Sequence, residues 1–177
     1  MIVIPPLRQK KRRKDGAPGF CVRSCILTFM RVTLAHIGNR LAASDPFEQL
    51  TQMWLKRMSS FAETESAAYR SVEALFDALS RAKKGAQVLV LLDSRGKQMT
   101  SEEFAAWLGA RRDAGVAHIV FAIGPASGWE DEARKEAGLL LSLSKMTLAH
   151  ALARAVLAEQ IYRASTILTG HPYHTGH

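Results

Sequence analysis

A single α/β domain, with a mostly parallel sheet and helices on both of its faces, is the fold this sequence predicts. Three observations predict it. From residue 30 onward, short apolar runs alternate with segments of helical period. Two of the runs, Gln87–Leu92 (QVLVLL) and Ala117–Ile123 (AHIVFAI), are almost continuously apolar, the pattern of strands covered on both faces. Strand-then-helix alternation of this kind closes most simply as a parallel sheet. The chain of 177 residues, 47% apolar and 23% charged, is long enough to bury a core.

The elements follow in order. Arg31–Ile37 (RVTLAHI) is a strand ending at Gly38. Ser44-Asp45-Pro46-Phe47-Glu48 predicts a helix start, with Asp45 as cap, Pro46 in the first turn and Glu48 closing a capping box. Phe47, Leu50, Met53, Trp54 and Met58 then repeat at helical spacing. A strand is read across Phe61–Tyr69, then a helix over Val72–Arg81 that Lys83-Lys84-Gly85 terminates. Asp93-Ser94-Arg95-Gly96-Lys97 reads as a turn after the third strand. Thr100-Ser101-Glu102-Glu103 is a second capping box, opening a helix with Phe104, Trp107 and Leu108 inward. After the fourth strand, Gly124–Gly128 is a loop and Glu130–Ala137 a short helix. Leu139–Leu143 is the last strand and Ala149–Ala164 the last helix.

Charge is unevenly spread. Residues 1–29 hold seven Lys/Arg against one Asp, a net +6, whereas residues 30–177 hold 17 against 15, a net +2. The basic balance therefore does not by itself argue for nucleic-acid binding by the domain. Residues 1–29 read as a basic extension, and Met30, directly before the first strand, is the expected start of the native protein. Arg23 and Arg31 interrupt the apolar stretch a signal peptide would need, so a cytoplasmic protein is expected. No run approaches the roughly 18 apolar residues of a membrane span, and no membrane partner is expected. Cys21 and Cys25 are spaced C-x3-C with no second ligand pair, so no metal is expected.

Ligands of parallel α/β sheets bind beyond the carboxyl ends of strands. Three such ends carry small or polar groups: Leu92-Asp93, Ile123-Gly124 and Leu143-Ser144. Neither a G-x-G-x-x-G nor a Walker A sequence is present, which excludes the usual dinucleotide and triphosphate cradles. Gly124 either admits a ligand to the backbone or merely makes a turn. The elbow of Ser144, Lys145, Met146 and Thr147 is either an ordinary connection or a backbone edge for an adenine flanked by Leu143, Met146 and Leu148. Arg154 shares a helix face with His150 and stands among Leu152, Ala153, Ala155, Val156 and Leu157. In such company it needs a carboxylate, a phosphate or a neighbouring subunit. His171, Tyr173 and His174 form a ring-bearing tail, disordered or docked, and Pro172 restricts its course.

Four segments, LLDSRGKQMTSEEFA (91–105), HIVFAIGP (118–125), LLLSLSKMTLAHALARAVLAEQIYRA (139–164) and TGHPYH (169–174), carry a resemblance. They resemble the SPOUT-superfamily methyltransferases that methylate a pseudouridine of large-subunit (23S) ribosomal RNA at N3. The resemblance covers residues 30–177 and departs from the family pattern at Pro125 and Ala149. It implies a C-terminal deep trefoil knot, a rare exception to unthreaded chains. It further implies S-adenosyl-L-methionine (AdoMet) bound by Leu92, Gly124 and the run Leu143, Ser144, Lys145, Met146, Thr147 and Leu148, and a homodimer. Arg154 is then the expected stabiliser of the imide anion, and His171, Tyr173, His174 or water the expected base. The expected substrate is the assembled ribosome rather than free RNA. Two alternatives stand beside it: a methyltransferase of the same fold acting on transfer RNA, and a non-catalytic ribosome-binding module.

Overall fold

In the computed structural model, residues 30–82 and 86–174 are described. The basic extension, the two cysteines and the Lys83-Lys84-Gly85 helix stop lie outside the described residues. The elements are β1 (Arg31–Ile37), α1 (Pro46–Met58), β2 (Glu63–Tyr69), α2 (Val72–Arg81), β3 (Gln87–Gln98), α3 (Ser101–Asp113), β4 (His118–Ile123), α4 (Asp131–Lys135), β5 (Leu139–Ser142) and α5 (His150–Thr169). A 3₁₀ turn, Pro172–His174, follows.

All strand pairs are parallel, in the order β2-β1-β4-β3-β5. Side chains alternate across the pleat, so each strand feeds two cores. Val32, Leu34, Val90, Ile119, Phe121 and Leu141 meet α1, α3 and α5 on one face. Ala35, Ile37, Leu89, Leu91, Val120 and Ala122 meet α2 and α4 on the other. Helices thus cover both faces, which is why the strand sequences are apolar throughout rather than alternating.

The helix starts differ in one instructive way. Thr100 and Glu103 form the expected capping box at α3. At α1, Asp45 accepts from the Phe47 and Glu48 N–H groups at 2.9 and 3.1 Å, but Glu48 does not close a box. The Asp45 N–H instead donates to the Ala42 carbonyl, and the Glu48 carboxylate is taken by Gln52 and Arg154. The face of α1 differs in part: Met58 is buried and Trp54 packs against the core as expected, but Phe47, Leu50 and Met53 remain 37–40% exposed, and Thr51 and Leu55 are buried in their place.

β3 is longer than its apolar run. Leu141 of β5 is paired with Leu92 and again with Lys97, so Asp93 to Gly96 arch over β5 instead of ending the strand in a turn. A Cβ on Gly96 would lie 2.6 Å from the Leu141 carbonyl carbon and 2.7 Å from that of Leu140, so only glycine permits this crossing. The crossing is consistent with the threaded C-terminal course the resemblance implies. α5 runs to Thr169, five residues beyond its expected end. Gly170 stops it in the left-handed conformation (φ 67°), with the His171 N–H donating to the Thr166 carbonyl.

Candidate functional site

The arch within β3 and the bends after β4 and β5 converge on one cleft of about 570 Å³. This volume lies in the range of small-molecule sites. Leu92, Gly124, Leu143, Ser144, Met146, Thr147 and Leu148 all line it. Lys145 does not line it; its side chain is exposed. The elbow is held by short side-chain bonds, Ser142 Oγ donating to the Ser144 carbonyl (2.9 Å) and the Met146 N–H donating to Ser144 Oγ (3.0 Å). Met146 itself is 76% exposed, an apolar side chain left uncovered at the mouth.

One residue that sequence reasoning missed, Trp129, and one that it named only as part of a strand end, Asp93, shape this cleft. Trp129 is buried, and its indole N–H donates to the Leu92 carbonyl at 2.8 Å, tying the fourth loop to the third strand end. A Cβ on Gly124 would lie 2.8 Å from the Trp129 ring, so Gly124 is small because the indole packs on it. Asp93 accepts from the Arg95 N–H (2.8 Å) and from Arg134 Nε (2.7 Å). Burial raises the Asp93 carboxyl, but these two bonds and the neighbouring cations outweigh it and hold it below the usual carboxylate range. Asp93 is therefore an ionised brace between β3 and α4. The only sequence signals were a Trp just after a Gly-rich loop and an Asp at a strand end, neither of which names a partner.

His150 opens α5 against the cleft. Burial lowers its pKa; a hydrogen bond to the Gly124 carbonyl acts the other way, and the Arg154 charge lowers it further. The ring is neutral near pH 7, and its Nε2 is buried without a partner among the described residues. His36 of β1 meets it edge-on, with ring centroids 5.7 Å apart.

The four residues expected to do chemistry do not line the cleft. Arg154 is 3% exposed and donates through Nη2 to Glu48 Oε2 at 2.7 Å, so its partner is a carboxylate of α1. The tail is docked on its own chain. The Tyr173 hydroxyl donates to Glu159 at 2.9 Å, and its ring packs on Tyr162 and Trp54 at 5.0 and 5.9 Å. Burial, then the Glu159 bond and charge, push the Tyr173 phenol up to about 12. His171 and His174 close the 3₁₀ turn: Tyr173 N–H donates to His171 Nδ1, and His174 Nδ1 donates to the His171 carbonyl. Glu159 lies nine residues beyond His150, about 14 Å along the helix.

The family described as "Predicted SPOUT methyltransferase" matches residues 30–174. Ribosomal RNA large subunit methyltransferase H of Koribacter versatilis is 49% identical over 148 residues, 84% of this chain and 100% of its own. The protein of the same name from Rhodospirillum centenum is 41% identical over 152 residues, 82% of this chain and 99% of its own. That of Xanthobacter autotrophicus is 45% identical over 113 residues, 62% and 71% of the two chains.

Proposed function

This chain belongs to the SPOUT methyltransferase family, and we propose that it transfers the methyl group of AdoMet to N3 of a pseudouridine in 23S ribosomal RNA within the assembled ribosome. The observation that carries the reading is the convergence of the bends at Leu92, Gly124 and Ser144 on one cleft. The relatives' shared name, an RNA methyltransferase of the large ribosomal subunit, supports the substrate class.

The cleft suits the cofactor by its lining. Leu92, Leu143, Met146 and Leu148 offer apolar surface for the faces of an adenine, and the elbow backbone from Ser144 to Thr147 offers polar groups for its edge. AdoMet supplies both the methyl group and its own leaving group, a thioether once the carbon–sulfur bond breaks. The chain's task is to align the attacking nitrogen and exclude water. The imide N–H must also lose its proton before a nitrogen–carbon bond forms. Arg154 is proposed to stabilise the anion so formed, since its Nε–H is buried with no partner among the described residues. A protonated phenol held by Glu159 is no base, so Tyr173 would have to leave its docked position to act. We place the action of His171, Tyr173 and His174 in the pocket of a second copy. The exposed Phe47, Leu50 and Met53 of α1 form an apolar stripe that pairing into a homodimer would cover.

The net +2 of residues 30–177 is too small to grip free RNA through phosphates alone, which favours a shaped ribosomal surface as substrate. Calorimetric titration with AdoMet tests the cofactor assignment: micromolar saturable heat is expected. A silent titration of folded protein would leave a ribosome-binding module without catalysis.

A further inference from the structure

Met146 stands in the elbow between β5 and α5, and it lines the cleft. Its side chain is 76% exposed, so little of the chain packs over it. A single exposed apolar side chain is ordinary on a protein surface; its place in a cleft lining is what singles this one out. The other methionines among the described residues differ. Met30 and Met58 are buried, Met99 packs half-buried against the core, and Met53 of α1 is 37% exposed and lies outside the cleft lining. The elbow fixes the backbone that carries Met146. Its N–H donates to Ser144 Oγ at 3.0 Å, and the Ser144 carbonyl accepts from Ser142 Oγ at 2.9 Å.

A thioether is soft and polarisable, and it suits the face of an aromatic ring. It is also a two-electron reductant. Its sulfur attacks one oxygen of hydrogen peroxide, the O–O bond breaks, an S=O bond forms, and the second oxygen leaves as water. The sulfur is oxidised by two electrons and the peroxide is reduced by two. The sulfoxide so formed is polar. Covered by an adenine face it meets no hydrogen-bond donor, and a polar group covered without a partner opposes binding. Leu92, Leu143 and Leu148, the other apolar groups offered to the adenine, have no such chemistry. Met146 carries the one sulfur among the described residues of the lining.

We propose that Met146 is a modification site: oxidation of its sulfur by hydrogen peroxide weakens the binding of AdoMet in the cleft, and bound AdoMet shields the same sulfur. The inference rests on the cofactor placement proposed above and adds to it a control by oxidant. Occupancy and oxidation then compete for one side chain. With AdoMet abundant the sulfur is covered and the enzyme resists peroxide. With AdoMet scarce the sulfur is open and the enzyme loses its cofactor affinity. The loss is reversible, because methionine sulfoxide reductases, one for each sulfoxide epimer, restore the thioether.

The test treats the full chain with hydrogen peroxide, with and without AdoMet, and maps sulfoxide by peptide mass spectrometry. Met146 is expected to oxidise fastest, and AdoMet to slow it in proportion to occupancy while the rate at Met53 stays the same. Calorimetry on the oxidised, still folded protein should show the AdoMet Kd raised about five- to 150-fold, the worth of one unpaired polar group. Treatment with both sulfoxide reductases should restore it. Met146→Leu, whatever its starting affinity, should keep that affinity through the same treatment; Cys21 and Cys25 are common to both proteins and serve as the internal control. Oxidation of Met146 with unchanged affinity overturns the proposal. So does an equal loss in Met146→Leu, or a Met146 rate that AdoMet leaves untouched although calorimetry shows it bound; each of these leaves the methyltransferase reading standing. Unaltered, folded protein that binds no AdoMet overturns that reading, and this one with it.

Discussion

Arg154 and Glu48 form a 2.7 Å ion pair across 106 residues of sequence, joining the last helix to the first. The Arg154 side chain is 3% exposed and that of Glu48 15%, so the pair is shielded from solvent. Breaking a buried pair on one side leaves a charge without compensation. Arg154→Ala is expected to lose about 3 kcal/mol of unfolding free energy. The double variant Arg154→Met, Glu48→Leu should recover most of that loss in urea titrations. If Arg154 stabilises the imide anion, the recovered protein still methylates slowly. A double variant that is stable and fully active would remove Arg154 from the chemistry.

His118 ties the opposite end of the sheet. Its Nε2 lies 2.8 Å from the Thr33 hydroxyl, and burial, then the Arg31 charge, lower its pKa to about 4. The unfolded chain titrates this group near 6.5. Between those two pH values the unfolded state binds the extra proton, so stability falls as pH drops from about 6.5 to 4. Above 6.5 His118 adds no slope. Urea midpoints measured from pH 7.5 down to 4 should fall for the wild type, and fall less for His118→Gln. Equal slopes would show that the acid sensitivity arises elsewhere.

Gly124→Ala is expected to disturb the cleft through Trp129. The new methyl would need the indole to move, straining its 2.8 Å bond to the Leu92 carbonyl. A cost of about 1–3 kcal/mol is expected from such overpacking. AdoMet affinity should fall together with a change in near-ultraviolet tryptophan dichroism. Unchanged dichroism with lost affinity would mean that Gly124 serves the ligand directly.

These cases show how far the residues could be read without coordinates. The sheet, its parallel sense and the two-sided helix cover were legible because apolar runs and caps are local signals. The cleft was legible because three strand ends carry small or polar groups. Partnerships across long sequence distance were not. Nothing near Glu48 announces Arg154, so a capping box was the natural local reading of its carboxylate. Nothing near Gly124 says that an indole five residues on packs against it. The arch of Asp93 to Gly96 over β5 looked like a turn because polar residues at a strand end usually make one.

The docked tail yields a prediction of its own. Tyr173→Phe removes the bond to Glu159 and should cost about 1 kcal/mol of stability. Deleting residues 170–177 should leave AdoMet affinity intact, because none of the tail's described residues lines the cleft. The same deletion should abolish methyl transfer if the tail completes a second copy's pocket. Retention of the full rate would assign the tail to packing alone.

The most direct measurement maps the fate of a labelled methyl group. Purified protein is incubated with labelled AdoMet and ribosomes from cells lacking this activity, and the RNA is digested and sequenced by mass spectrometry. The account predicts one labelled nucleotide, a pseudouridine of 23S RNA methylated at N3, and far less label when protein-free RNA replaces ribosomes. Label in transfer RNA, or no label at all from protein that binds both AdoMet and ribosomes, would contradict it.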